Sequence, residues 1–305
     1  MPLDPFLVTM LQQVAQADGP ALTDVPPEQA REMFSAMQST ALVKEVNEIR
    51  DLDADGIAVR VYRQRDDKCP AVVFFHGGGW VIGDLDSHDS FCTQIAEATG
   101  YTVISVDYRM APEHPFPAPL DDCYTGLCWV QANAEKLNID PARIAVAGDS
   151  AGGNLAAAVC LKARDEGNNG IKMQLLLYPV TDCSFDTQSY IDNAEGYMLT
   201  REGMHWFWDH YIGHDETLKW NPLAAPLQSD NLTKLPSACV ITAEFDPLRD
   251  EGNEYAKRLD AAGVTTDHQC IDGVIHGFFD MQEPLVGART ALAFAADSLK
   301  RNLEA

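Results

Sequence analysis

Gly148-Asp149-Ser150-Ala151-Gly152 follows the apolar run Arg143 to Ala147 and precedes the helix-prone stretch Asn154 to Ala163, which places Ser150 at a sharp turn between a strand and a helix. The two glycines let the backbone pass where a Cβ would block the neighbouring strand and helix, and the hydroxyl is left projecting from the turn. A helix that starts there aims its free N–H groups and the positive end of its dipole at any oxyanion formed beside that hydroxyl. Asp149 is expected either to anchor the elbow through backbone N–H groups or to serve as an ordinary turn aspartate.

A second glycine cluster, His76-Gly77-Gly78-Gly79-Trp80, follows another buried-strand run, Ala71 to Phe75. Consecutive glycines at a strand's C-terminal end expose bare backbone N–H groups, which is what stabilising a tetrahedral oxyanion requires. Phosphate is the competing ligand for such a loop. Gly78 and Gly83 have Walker spacing, but Asp84 stands where the lysine should be, and its charge would repel phosphate.

A serine hydroxyl needs a base within hydrogen-bond reach, and the base needs a carboxylate to hold its tautomer. In strand-turn-helix serine hydrolases the order along the chain is serine, acid, histidine. Of the two late histidines, His268 falls in the alternating run Val264 to Ile271 and reads as a strand residue. His276 lies in the loop that follows, ahead of Gly277. Glu244, Asp246 and Asp250 compete for the acid. Ala238 to Thr242 reads as a strand and Pro247 as the first turn of a helix, which puts Asp246 at the N-cap, Asp250 one turn inside, and Glu244 near the strand, where it could support the loop. Asp246 is the expected acid.

His76-Gly77-Gly78-Gly79-Trp80, Asp107-Tyr108-Arg109-Met110-Ala111-Pro112-Glu113, Gly148 to Gly153, Glu244-Phe245-Asp246-Pro247-Leu248-Arg249-Asp250 and His276-Gly277-Phe278 occur in that order. In this the chain resembles the microbial hormone-sensitive-lipase-like family of α/β-hydrolase esterases, in the branch with Gly-Asp-Ser-Ala-Gly-Gly at the elbow. The resemblance implies an oxyanion hole made by the N–H groups of Gly78, Gly79 and Ala151, with Gly77 shaping the turn and His76 in support. It also agrees with Asp246 as the acid. The expected activity is hydrolysis of neutral short- to medium-chain acyl esters through Ser150, His276 and Asp246, with no cofactor and no metal. Amide cleavage or acyl transfer by the same triad, and a non-catalytic ligand receptor on the same fold, are the alternatives.

Strand-like runs at Ile57 to Arg63, Ala71 to Phe75, Thr102 to Val106, Arg143 to Ala147, Lys172 to Tyr178, Ala238 to Thr242 and Val264 to Ile271 alternate with helical patterns at Asp89 to Ala98, Leu120 to Leu137, Asn154 to Ala163, Leu248 to Ala262 and Pro284 to Leu299. Such alternation predicts an α/β fold with a mostly parallel sheet covered on both faces. Two segments break it. The N-terminal stretch carries the apolar helix faces Phe6, Leu7, Met10, Leu11, Val14 and Met33, Phe34, Met37. The stretch 179–237 is far longer than one crossover needs and holds Met204, Trp206, Phe207, Trp208 and Tyr211. Together they are expected to form a helical cap over Ser150, from 1–45 and 179–237. The catalytic domain is then 46–178 plus 238–305. His205, His210 and His214 are expected on the cap surface, and Tyr108 and Arg109 are expected to brace the oxyanion loop.

With 305 residues, 46% of them hydrophobic, the chain is long enough for one large core. Lys and Arg number 22 against 46 acidic residues, a net charge of -24, so nucleic acid and anionic membrane are repelled and a neutral small-molecule ester is the expected partner. Neither a secretory leader nor a membrane span is expected. The eight cysteines are scattered without a Cys-x-x-Cys pair and read as reduced residues of a cytoplasmic protein. A last strand at the sheet edge makes a homodimer the expected assembly.

Overall fold

A computed structural model describes residues 1–16, 19–38 and 43–304. Residues 17, 18 and 39–42, within the expected N-terminal part of the cap, and residue 305 lie outside the described residues. In chain order the strands are β1 (Glu48–Ala54), β2 (Ile57–Arg63), β3 (Cys69–Phe75), β4 (Thr102–Val106), β5 (Ile139–Asp149), β6 (Ile171–Leu177), β7 (Ser237–Phe245) and β8 (Thr266–Ile275). They form one sheet in the order β1-β2-β4-β3-β5-β6-β7-β8. β2 pairs antiparallel with both β1 and β4, and the remaining neighbours are parallel, as the alternation predicts. The helices are α1 (Pro5–Gln16), α2 (Pro27–Gln38), α3 (Asp89–Thr99), α4 (Ala118–Ala132), α5 (Ala151–Asp165), α6 (Gln188–Asp192), α7 (Arg201–Tyr211), α8 (Arg249–Ala261) and α9 (Val286–Leu303).

Side chains alternate across a strand, and β3 shows how that divides the core. Ala71, Val73 and Phe75 join a hydrophobic cluster with α4, α5 and α8, including Leu127, Leu155 and Leu259. Val72 and Phe74 point the other way, into a cluster with α3 and α9 that includes Phe91, Ile95 and Leu299. The chain thus leaves β3 toward one face and β5 toward the other. Between these two adjacent strands lies the crevice where a sheet of this kind binds ligands, outside the carboxyl ends of its strands.

Strand β1 was not anticipated. Its sequence, Glu-Ile-Arg-Asp-Leu-Asp-Ala, is mostly charged because it is an edge, where charge protects unpaired backbone groups from another chain. The N-terminal stretch also divides differently from the expected single unit. On α1, Leu7 is buried in the α3/α9 cluster with Met10 and Leu11 beside it, whereas Phe6 and Val14 remain 41% and 50% exposed. On α2, Ala30 and Phe34 join the opposite cluster, and Met37 is exposed. The insertion between β6 and β7 carries α6 and α7, with Met204, Phe207, Trp208 and Tyr211 buried. Cys69, Cys92, Cys123, Cys160, Cys183 and Cys239 are buried free thiols, and Cys128 and Cys270 are half-buried free thiols. Among the described residues, no helix is long and apolar enough to cross a membrane.

Helix α5 starts against the backbone of β3. A Cβ on Gly152 would be driven into the carbonyl oxygens of Phe75 and His76, and one on Gly148 into the backbone of Gly152. Gly152→Ala is therefore expected to destabilise the fold by at least about 3 kcal/mol, since rigid backbone cannot move aside as a side chain can. Gly19→Ala, with nothing near the added methyl, is the control. Equal denaturant midpoints for the two variants would contradict this account of the elbow.

Candidate active site

Ser150 ends the approach from β5 and caps α5 with φ 54° and ψ -119°, a region that a side chain rarely adopts. The surrounding structure holds it there. Its N–H donates to Leu177 O on β6 at 2.8 Å, and its carbonyl accepts from Asn154 N at 3.1 Å and Val180 N at 3.2 Å. The hydroxyl Oγ is thereby fixed 2.9 Å from His276 Nε2.

His276 follows directly after β8, and its Nδ1 lies 2.7 Å from Asp246 Oδ2. Because a carboxylate accepts only, Nδ1 carries the proton and Nε2 presents a lone pair to the serine hydroxyl. Asp246 is fully buried, and its other oxygen Oδ1 accepts from Leu248 N at 2.9 Å. Helix α8 begins two residues later than Pro247 suggests. The N-cap is Leu248, not Asp246, so the aspartate closes a turn between strand and helix rather than capping the helix. Tyr178 sets the edge of its ring against His276, with centroids 4.7 Å apart. Asp250 faces elsewhere, accepting from Ser189 N at 2.7 Å and from Arg249. Glu244, expected to support the loop, instead bridges to β8, with Oε2 accepting from Gly273 N at 2.7 Å.

The glycine loop sits beside this array, at the end of β3. Gly78 and Gly79 have φ of 104° and 58°, conformations open to glycine. Gly77 donates its N–H to Asp149 Oδ1 at 2.8 Å. Asp149 thus ties the glycine loop to β5, where either an anchor on the elbow or an ordinary turn aspartate was expected. His76 is fully buried, with Nδ1 2.8 Å from Gly77 O, so that nitrogen carries the proton. Burial, then the nearby His88, pushes His76 down to about 4. Tyr108 stacks on His76 with centroids 4.2 Å apart and donates to its carbonyl at 2.8 Å, the expected brace. Arg109 does not join it. Its guanidinium forms a two-pronged pair with Asp122 of α4, because a carboxylate fork in reach outcompetes a lone loop carbonyl.

The insertion closes over this loop. The Phe207 ring occupies the space a Cβ on Gly79 would need, Trp80 stacks on Tyr211 at 4.0 Å, and Trp208 meets Trp80 edge-on at 4.9 Å. His205 lies against Phe185 and His210 against Trp206, while His214 is exposed. Among the described residues no group of His, Cys, Asp or Glu side chains is placed to hold a metal ion.

Sequence reasoning missed three supports. Glu251 of α8 is buried and accepts from Thr181 N at 2.6 Å and Asp182 N at 3.1 Å, joining the acid-bearing region to the start of the insertion; burial pushes its carboxyl well above the usual range. Asn154 donates to the carbonyls of Val180 and Ala224. Arg31 of α2 donates to Val81 O at 2.7 Å and Ala111 O at 2.9 Å and pairs with Glu113, which its bond holds down to about 2. Nothing local marked Glu251 as buried, since an acid in the first turn of a helix is ordinarily a solvated one. Nothing local marked Arg31, whose partners are distant in sequence.

A family model described as alpha/beta hydrolase fold matches residues 72–280. The carboxylesterase NlhH of Mycobacterium tuberculosis is 42% identical over 267 residues, covering 85% of this chain and 83% of that protein. The ethyl acetate hydrolase of Pseudomonas putida is 35% identical, covering 99% of this chain and 100% of its own. A hyperthermophilic esterase from Pyrobaculum calidifontis superposes with a TM-score of 0.92 at 41% identity, covering 99% of both chains.

Because Arg31 ties the Val81 carbonyl of the glycine loop to the Ala111 carbonyl after β4, Arg31→Ala is expected to lower stability by about 1 to 3 kcal/mol, the range for hydrogen bonds to charged groups. It should also lower kcat for esters of every chain length. An unchanged denaturant midpoint together with an unchanged kcat would show that α2 rests on the loop without bracing it.

Proposed function

The chain belongs to the hormone-sensitive-lipase-like esterases of the α/β-hydrolase fold, and from that premise we propose a serine carboxylesterase acting on neutral short- to medium-chain acyl esters. The observation that carries this reading is the unbroken relay from Ser150 Oγ through His276 to buried Asp246, at 2.9 and 2.7 Å.

Ser150 Oγ attacks the ester carbonyl while His276 Nε2 takes the hydroxyl proton, and Asp246 holds the imidazolium that forms. The resulting oxyanion is bound by the N–H groups of Gly78, Gly79 and Ala151. Gly77 is not in this set, since its N–H is committed to Asp149. As the tetrahedral species collapses, His276 returns the proton to the leaving alcohol, leaving an acyl group on Ser150. Water, deprotonated by His276, then attacks that acyl carbonyl, and as the bond to Ser150 Oγ breaks His276 returns the proton to Oγ and the carboxylic acid is freed.

The cap reading is supported by Phe207 over Gly79 and by the Trp80, Trp208 and Tyr211 stack, which make the insertion a wall of the serine cleft. A modest substrate fits a cleft roofed this closely, and a relative of nearly the same length is an ethyl acetate hydrolase. β8 is an edge of the sheet, and such an edge supports a homodimer formed with a second β8.

Ser150→Ala, His276→Ala and Asp246→Asn should each reduce kcat by roughly 10⁴- to 10⁶-fold on p-nitrophenyl butyrate, and their combinations should cost little more, as groups acting as a unit do. Asp250→Asn, whose carboxylate holds Ser189, should lose less than about tenfold. A folded Asp250→Asn variant with the larger loss would contradict the assignment of the acid.

A further inference from the structure

Beneath the glycine loop lies a buried polar cluster that the esterase reaction does not use. His88, 2% exposed, has Nδ1 3.0 Å from Ser87 Oγ. That hydroxyl donates to Asp84 O at 2.9 Å and accepts from Asp84 N at 2.9 Å, so it faces His88 as an acceptor, and Nδ1 must carry a proton. His88 Nε2 lies 3.5 Å from Asp149 Oδ1. The Gly77 N–H points between these two atoms, 2.8 Å from Oδ1 and 3.3 Å from Nε2. The shorter contact takes the Gly77 proton. A bare Nε2 would then set its lone pair against a buried carboxylate, whereas a protonated one completes an ion pair.

The groups facing His88 come from several elements. β3 and its following residue contribute Phe74 and His76, α3 contributes Phe91, and α2 contributes Phe34. The charges that act on it are Asp149, Asp280 in the turn after β8, and Asp84 on its own segment. Burial works against the charged imidazole, but Asp149, followed by the other two carboxylates, outweighs it and His88 is raised above its ordinary range. His76 is pushed the other way and stays neutral. Burial also raises Asp280, which weakens it as a rival partner to Asp149.

We propose that His88 is a positioning residue for the oxyanion loop. Held as an imidazolium under Gly77, it neutralises the Asp149 carboxylate that pins the loop, so that no net negative charge stands behind the place where the oxyanion forms. This rests on the assignment of Ser150 and the glycine loop above. Asp149 immediately precedes the nucleophile, and an unpaired carboxylate there would oppose the negative charge the reaction creates. Because His88 is raised, its charge is lost only as pH climbs through that raised range. The effect therefore appears on the alkaline side of the profile.

The test is the pH profile of kcat for p-nitrophenyl butyrate in the full chain and in His88→Gln, Asp149→Asn and the double variant. The unaltered protein should show an alkaline limb. His88→Gln should lose that limb and about 10- to 100-fold in kcat, with KM little changed. Asp149→Asn keeps an acceptor for Gly77 while removing the charge, so it too should lack the alkaline limb. The double variant should be more active than His88→Gln alone, because the unpaired carboxylate is gone. An alkaline limb that persists in both single variants, or a double variant less active than His88→Gln, overturns the proposal. If His88→Gln does not fold, Asp149→Asn decides alone: an absent limb sustains the proposal and a retained one refutes it. Full activity in Ser150→Ala would instead refute the triad on which the proposal rests.

Discussion

The close approach of α5 to the backbone of β3 and β5 is the constraint on which the rest of the site depends. Gly148 and Gly152 let the chain turn so tightly that Ser150 is forced into positive φ, with its N–H and carbonyl both committed. That strain is of the order of 1 to 3 kcal/mol and persists only because the fold around it leaves no alternative. What it secures is position. The hydroxyl is held above the sheet, the N-terminus of α5 is aimed at the same point, and the crevice between β3 and β5 opens beside it.

Four strand ends supply the remaining parts, and polar bridges between strands set their spacing. Asp149 joins β5 to the glycine loop after β3, Glu251 joins α8 to the residues following β6, and Glu244 joins β7 to Gly273 near the end of β8. Asp149 and Glu244 use carboxylates to accept backbone N–H groups, bonds stronger than their neutral counterparts, and Glu251 accepts through a carboxyl that burial raises well above the usual range. Their effect is to couple loops that hydrophobic packing alone would position only coarsely. The aromatic contacts of Trp80 with Trp208 and Tyr211 do the same for the insertion, using large buried rings in place of charge.

How far the sequence revealed this follows from the reach of each interaction. The elbow, the glycine loop and the meeting of Ser150, His276 and Asp246 were legible because tight turns and strand ends demand particular residues at short spacing. Seven of the strands were legible, five of them, β3 to β7, because buried parallel strands are continuous apolar runs, and β8 from its alternation. β1 was hidden by the charges its edge position calls for, and Asp246, expected as the acid, was also placed at an N-cap because Asp-Pro also begins helices. Arg31, His88 and Glu251 left no local signature that distinguished them from ordinary charged residues. Their roles arise from contacts between segments far apart in the chain, and Arg109 shows the converse, a motif residue taken up by a partner on α4. The division of α1 and α2 between opposite faces of the sheet was invisible for the same reason.

The central claim is that Ser150 is a nucleophile activated by His276. Reaction of the full chain with a fluorophosphonate, followed by peptide mapping and parallel assay of ester hydrolysis, tests it most directly. One phosphonyl group should be found on Ser150, activity should fall in proportion to its occupancy, and His276→Ala should react far more slowly. Modification of a different residue, or ester hydrolysis that survives full occupancy of Ser150, would contradict the account.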